Sequence, residues 1–148
     1  MKLVSCSTLL SCFLIVGCHG ARPGSLGVVN GKLAPCPKSL NCVSSQAEDE
    51  KHRVEPLRYE SSRSEAKAGL LGVIRSMKRA RIAVEEDDYI HAEFKSALWR
   101  FIDDVEFYFV HESKIIHVRS ASRVGRSDLG VNRKRIERIR KQFLKGRD

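Results

Sequence analysis

The chain has 148 residues, of which 42% are hydrophobic and 30% charged, and its formal net charge is +9. That length and apolar content suit one domain with a single core and exclude a chain too polar to fold. The excess of base over acid points to anionic partners.

Met1 and Lys2 precede an apolar run over residues 3–16 that is broken only by serine, threonine and cysteine. The run is too short for a comfortable membrane span and has the charged start and apolar middle of an export signal. Leu14-Ile15-Val16-Gly17-Cys18 resembles a bacterial lipobox. That resemblance implies removal of residues 1–17 and a lipid on Cys18, the new first residue. An ordinary signal peptide cleaved nearby is the plainer alternative. His19, where an aspartate would favour the inner membrane, points to the outer membrane, so the expected location is the bacterial cell envelope facing the periplasm. Cleavage removes one base, Lys2, and no acid, so the positive excess survives. Expected partners are the membrane through the lipid anchor, an anionic small molecule, lipid head group or glycan, and an envelope protein. Nucleic acid is not expected in that compartment.

Cys6 and Cys12 leave with the signal, and Cys36 and Cys42 remain as a pair in Pro-Cys-Pro-Lys-Ser-Leu-Asn-Cys. An oxidising compartment favours a disulfide between them. The spacing is not that of a redox Cys-x-x-Cys, and two thiolates without nearby histidines make a poor zinc site. Closing so short a ring is worth at most about 2–3 kcal/mol.

Residues 18–33, rich in glycine and with Pro23, read as a tether, and residues 34–148 as a single domain. Residues 43–53 read as a polar loop, and 54–59 as a short extended segment that Pro56 confines to an edge. Ser62-Arg-Ser-Glu65 has the form of a capping box. Ala66, Leu70, Val73 and Met77 then recur at helical spacing, which predicts a helix over 64–79. Gly69 and Gly72 weaken it but allow a close approach to a sheet.

Two hairpins follow. The first pairs Val84 with Ile90, Ile82 with Ala92 and Ala80 with Phe94, because a one-residue slip would bury the wrong set. The second pairs Phe109 with Ile116 and Phe107 with Val118. Its other face sets Tyr108 opposite His117 and Glu106 opposite Arg119, an exposed acid–base pair worth about 0.2–1 kcal/mol. The chain ends in a basic helix with a stripe of Asn132, Ile136, Ile139 and Phe143, and with Arg133, Lys134, Arg135, Arg138, Arg140 and Lys141 around it. Asp128 stands just upstream, where it suits the helix's positive end. The expected fold is α+β, two layers, with a four-stranded antiparallel meander flanked by two helices.

Pro35-Cys36-Pro37, Asn41-Cys42-Val43-Ser44-Ser45, Phe101-Ile102-Asp103-Asp104-Val105-Glu106-Phe107, Arg119-Ser-Ala-Ser-Arg123 and Asp128-Leu-Gly-Val-Asn132-Arg133 together look like one family. They resemble the bacterial family catalogued as domain of unknown function 1499, in a lipoprotein-type version. The resemblance spans about residues 33–143 and implies no particular activity. Arg126 stands where the family often has an aromatic residue, which implies a more cationic pocket here.

The stretch 119–133 reads as a strand end, a turn and a helix start, a natural anion site because free N–H groups and the helix dipole favour negative charge. Arg119, Ser120, Ser122, Arg123, Arg126, Asn132 and Arg133 are the candidate ligand-binding residues, with fork-shaped donors suited to carboxylate or phosphate. Asp103, Asp104, Glu106 and Asp128 are the supporting acids. In the opposing reading these four acids neutralise the arginines in an internal salt-bridge network. An enzyme of unknown reaction using the Asp103/Asp104/Glu106–Arg119/Arg123 cluster is a rival, although no nucleophile motif, catalytic residue, cofactor or metal site is assigned. A third reading is a structural partner that docks through the basic C-terminal helix, Arg135 and Arg138 included. The leading expectation is an envelope lipoprotein acting as a binding or assembly module.

Overall fold

A computed structural model describes residues 20–146; the segment read as a signal, Cys18 and the last two residues lie outside that range. In chain order the first elements are β1 (Val28–Val29), β2 (Lys32–Leu33), β3 (Cys42–Ser44), β4 (Leu57–Arg58) and α1 (Arg63–Ser76). They are followed by β5 (Ala80–Glu85), β6 (Tyr89–Lys95), β7 (Ile102–Phe109), β8 (Ile115–Ser122) and α2 (Val131–Lys145). The fold is α+β. Its main sheet has six antiparallel strands where four were expected: β3 and β4 lie along the outer edge of β8, followed by β7, β6 and β5. At three and two residues, β3 and β4 are too short to show an alternating pattern. The segment read as loop, 43–53, therefore begins inside a strand, with Val43 opposite Ser120.

The β7–β8 register is the expected one, with Phe109 opposite Ile116, Phe107 opposite Val118, and Glu106 opposite Arg119. In the β5–β6 hairpin, Ala80 faces Phe94 and Ile82 faces Ala92 as expected, but a bulge sets Val84 opposite His91 and not Ile90. The turn explains the difference. The Glu86 N–H donates to the Tyr89 carbonyl at 2.8 Å, closing a tight loop over Asp87 and Asp88. That loop sets a register one residue away from the one apolar matching demands, and the bulge reconciles them.

Alternation in β6, β7 and β8 sends Ile90, Ala92, Val105, Phe107, Ile116 and Val118 to one face, where all are fully buried. Both helices pack there. The Ser62 hydroxyl accepts from the Glu65 N–H and the Glu65 carboxylate accepts from the Ser62 N–H, so α1 starts with the expected box. It ends at Ser76, earlier than expected, and Arg79 has already turned to a φ of 62°. A side chain at Gly69 would meet Phe143 at 3.8 Å, so this glycine faces α2, not the sheet. Helix α2 buries Asn132, Ile136, Ile139 and Phe143, the stripe its spacing predicted.

The other sheet face carries Tyr89, His91, Glu93, Asp104, Glu106 and Arg119, mostly buried as well. Its cover is the segment read as a tether, whose described part, 20–33, lies against the sheet as a strap. The Gly27 N–H donates to Glu106 Oε1 at 2.8 Å, Arg22 reaches His91, and β1 and β2 form a small hairpin of their own. Cys36 and Cys42 are joined by a disulfide across a Cα–Cα distance of 5.6 Å, as expected. Among the described residues no helix is long and apolar enough to cross a membrane.

Candidate functional site

On β7 the period of two places Asp104 and Glu106 on the strap side and Asp103 on the helix side. Asp104, 1% exposed, accepts from Arg123 Nε at 2.8 Å, from Arg123 Nη2 at 2.7 Å and from His91 Nε2 at 2.8 Å. Arg22 donates to His91 Nδ1 at 3.3 Å, which leaves Nε2 as the protonated nitrogen facing Asp104. Arg123 also reaches Glu93 at 2.6 Å, and Arg81 holds the second Glu93 oxygen at 2.8 Å. Two residues further along β7, Glu106 accepts from Arg119 Nη1 at 3.0 Å and from the Tyr89 hydroxyl at 2.8 Å. The Glu106–Arg119 pair was expected to be exposed, but Glu106 is 0% exposed because the strap closes over it. Arg119 Nε is buried there without an acceptor, at a cost of about 1–3 kcal/mol.

Burial alone would raise the pKa of Asp104 and of Glu93. The hydrogen bonds from Arg123 and His91 to Asp104 outweigh that effect, as do those from Arg81 and Arg123 to Glu93, and both carboxyls sit below their usual range. Arg123 is correspondingly raised, first by its bond to Asp104. Burial, with the Glu106 carboxylate close by, pushes the Tyr89 phenol upward.

The helix side holds a second polar knot. Asp103 pairs with Arg135, which lies over the Phe94 ring at 5.0 Å. Asn132 is fully buried and saturated: its oxygen accepts from Ser120 and Arg135, and its nitrogen donates to the Asn41 carbonyl and to Ser122 Oγ, both at 3.0 Å. These bonds tie α2 to β8 and to the disulfide loop. The N-terminus of α2 is filled by the chain's own anion, since Asp128 Oδ1 accepts from the Gly130 N–H at 2.9 Å and Oδ2 from the Asn132 N–H at 2.8 Å.

The sheet therefore divides the candidate residues. Arg119 and Arg123 lie in the strap-side layer; Ser120, Ser122 and Asn132 lie under α2. Arg126 is exposed on the connecting turn, and Arg133 donates to the carbonyls of Arg53 and Lys51. The four arginines do not converge. Of the acids, Asp104 and Glu106 neutralise Arg123 and Arg119, while Asp103 takes Arg135, a residue read as part of an open basic face. Arg140 likewise holds the carbonyls of Pro56 and Glu55. Arg133 and Arg140 on α2 thus donate to backbone oxygens of the segment beside the helix, an acceptor set that charge counting does not reveal.

Sequence reasoning missed His91, Glu93 and Arg22. The alternation of Tyr89, His91 and Glu93 on β6 marks them as one face, and the register sets His91 opposite Glu106 and Glu93 opposite Asp104. His91, Glu93 and Asp104 offer ligand atoms within 4.8 Å of one another. A metal ion fits poorly there, because the Arg123 guanidinium already spans both carboxylates.

Exposed basic side chains gather instead at the end of the sheet where β6 stops and β7 starts, although Arg81 is paired with Glu93 and Arg79 Nε donates to the Lys95 carbonyl at 3.1 Å. A groove of about 480 Å³ is lined by Arg79, Arg81, Lys95 and Arg100, with Glu93 and Ile102. Arg79, Arg81 and Arg100 are exposed. Arg79 belongs to this groove because α1 ends before it.

No curated protein matches the chain. A family model described as protein of unknown function (DUF1499) matches residues 32–143, most of the chain and nearly all of the sheet and both helices. The chain belongs to that family.

Proposed function

We propose that this protein is a bacterial envelope lipoprotein whose domain is a binding module for an anionic ligand. The observation that carries this reading is the division of its arginines. Those of the central turn and its neighbours, Arg119, Arg123 and Arg135, are neutralised inside the domain. Arg79 and Arg100 line an open groove, and Arg126 is exposed on the turn that follows β8. The carboxylates that acid–base chemistry would need, Asp103, Asp104 and Glu106, are each paired with a guanidinium group, which suits a framework and not a proton shuttle.

Thermal melting across phosphate, phospholipid head groups, glycan fragments and simple carboxylates at matched ionic strength tests the reading. A ligand at 100 times its Kd stabilises the folded state by about 2.7 kcal/mol. The expected result is a rise in Tm with one anion class that is lost in Arg79→Ala/Arg100→Ala, while the Tm without ligand is unchanged. No rise with any anion, or a rise that survives the double substitution, overturns it.

A further inference from the structure

We infer that the end of the domain bearing the β6–β7 loop docks on an anionic phospholipid bilayer, with Leu98 and Trp99 entering the interface. The inference rests on the lipoprotein reading above and adds to it the surface and the orientation.

The loop is built to hold its tip outward. The Ser96 N–H donates to the Phe101 carbonyl at 2.8 Å, and the Phe101 N–H donates to Ser96 Oγ at 2.9 Å, pinching the base shut. Arg100 takes a φ of 56° within it. What the pinched loop presents is apolar: Leu98 is 78% exposed and Trp99 71%. With Phe101, 41% exposed at the base, these side chains form a contiguous apolar group in water, as contact surfaces do. Tryptophan in particular favours the membrane–water boundary, where its ring is buried and its N–H stays wet.

Charge agrees with that occupant. Lys95 and Arg100 flank the tip, Arg79 and Arg81 stand behind it, and residues 96–101 contain no acid. Basic side chains at a bilayer surface are drawn to anionic head groups. The turn between β8 and α2 lies at the same end of the sheet, since Ser122 pairs with Asp103 and the Arg123 N–H donates to the Ile102 carbonyl at 3.1 Å. That turn exposes Leu129, at 87%, together with Arg126. Asp128, its one acid, is committed to backbone N–H groups.

The position of Gly20, the first described residue, points the same way. Gly20 packs on this same turn: a Cβ placed on it would lie 2.9 Å from Arg123 Cβ and 3.2 Å from Val124 Cγ1. Cys18 is two residues upstream, within about 7 Å of chain. In the lipoprotein reading, a lipid on Cys18 would therefore be tethered by that short reach to the end of the domain that carries the Leu98–Trp99 tip. A lipid chain combined with a basic, apolar patch holds a protein at a surface far better than either alone.

Trp99 is the sole tryptophan of the chain, so its fluorescence reports this loop and nothing else. The test uses the full chain, expressed with its own N-terminal segment and reconstituted into vesicles of phosphatidylglycerol and phosphatidylcholine. Flotation reads the anchor, and Trp99 emission reads the docking. The expected result is a blue shift, strong quenching by brominated lipid, and protection from aqueous iodide. Leu98→Ser/Arg100→Glu reduces these several-fold while the protein still floats and its Tm is unchanged. Protein that floats with Trp99 still open to iodide overturns the docking alone. Flotation that survives Cys18→Ser overturns the anchor. A blue shift that needs no vesicles and grows with protein concentration assigns the surface to a second copy of the chain, and also overturns the inference.

Discussion

Asp104 sits between a histidine and an arginine that together hold it ionised inside the protein. The pKa of a carboxyl depressed by folding adds stability above its unfolded value, near 4, and that stability is lost as pH falls through the lower folded value. Asp104 and Glu93 both have this sign, so the domain weakens on acidification below about pH 4. His52 has the opposite sign: its bond to Asp49 raises it, so its contribution is full below about pH 6.5 and fades as pH rises through the higher folded value. Denaturant midpoints between pH 2.5 and 7 check the larger effect. Asp104→Asn should be less stable at neutral pH and should lose stability less steeply on acidification. An acid limb of unchanged slope would remove Asp104 from the account.

At the scale of elements, the strap is the part whose role differs most from its appearance. Glycine-rich and short of large apolar residues, it reads as a spacer, yet Gly27 supplies an N–H to Glu106 and Arg22 meets His91. The family match starts at Lys32, after both contacts. A chain beginning at Lys32 should fold, but with the charged layer open to water and a loss of about 1–3 kcal/mol at Glu106. Hydrogen exchange in β6 and β7 should quicken in that chain, and unchanged protection would show that the strap covers nothing of consequence. Signals that repeat along a few adjacent residues were legible: the capping box at Ser62, the α2 stripe, and the β7–β8 register. β3 and β4 were not, because their pairing partners, such as Ala121 for Cys42, are far away in sequence. Nor was the burial of the charged layer. Tyr89, His91 and Glu93 alternate with Ile90, Ala92 and Phe94 as any solvent-facing strand would, and only the strap decides otherwise.

The molecule as a whole is a sheet with two unlike sides and one open end. Apolar packing against α1 and α2 fills one side, and arginine–carboxylate pairs under the strap fill the other. The anion pocket expected from the turn at 119–133 divides across these two sides, since consecutive residues on β8 point to opposite faces. The ligand reading proposed above therefore rests on the end carrying Arg79, Arg100 and Trp99, whose groove is lined by exposed arginines. The central claim is that Arg123 is framework and the open end is the site. A double-mutant cycle between Asp104→Asn and Arg123→Met, read by denaturant unfolding with and without anion, tests it most directly. Breaking a buried pair from either side should cost about 3–5 kcal/mol. The two losses should couple by about 0.5–3 kcal/mol, with the anion response of the folded protein intact in each variant. Arg123→Met that leaves stability unchanged but abolishes the anion response would contradict the claim and return the site to the central turn.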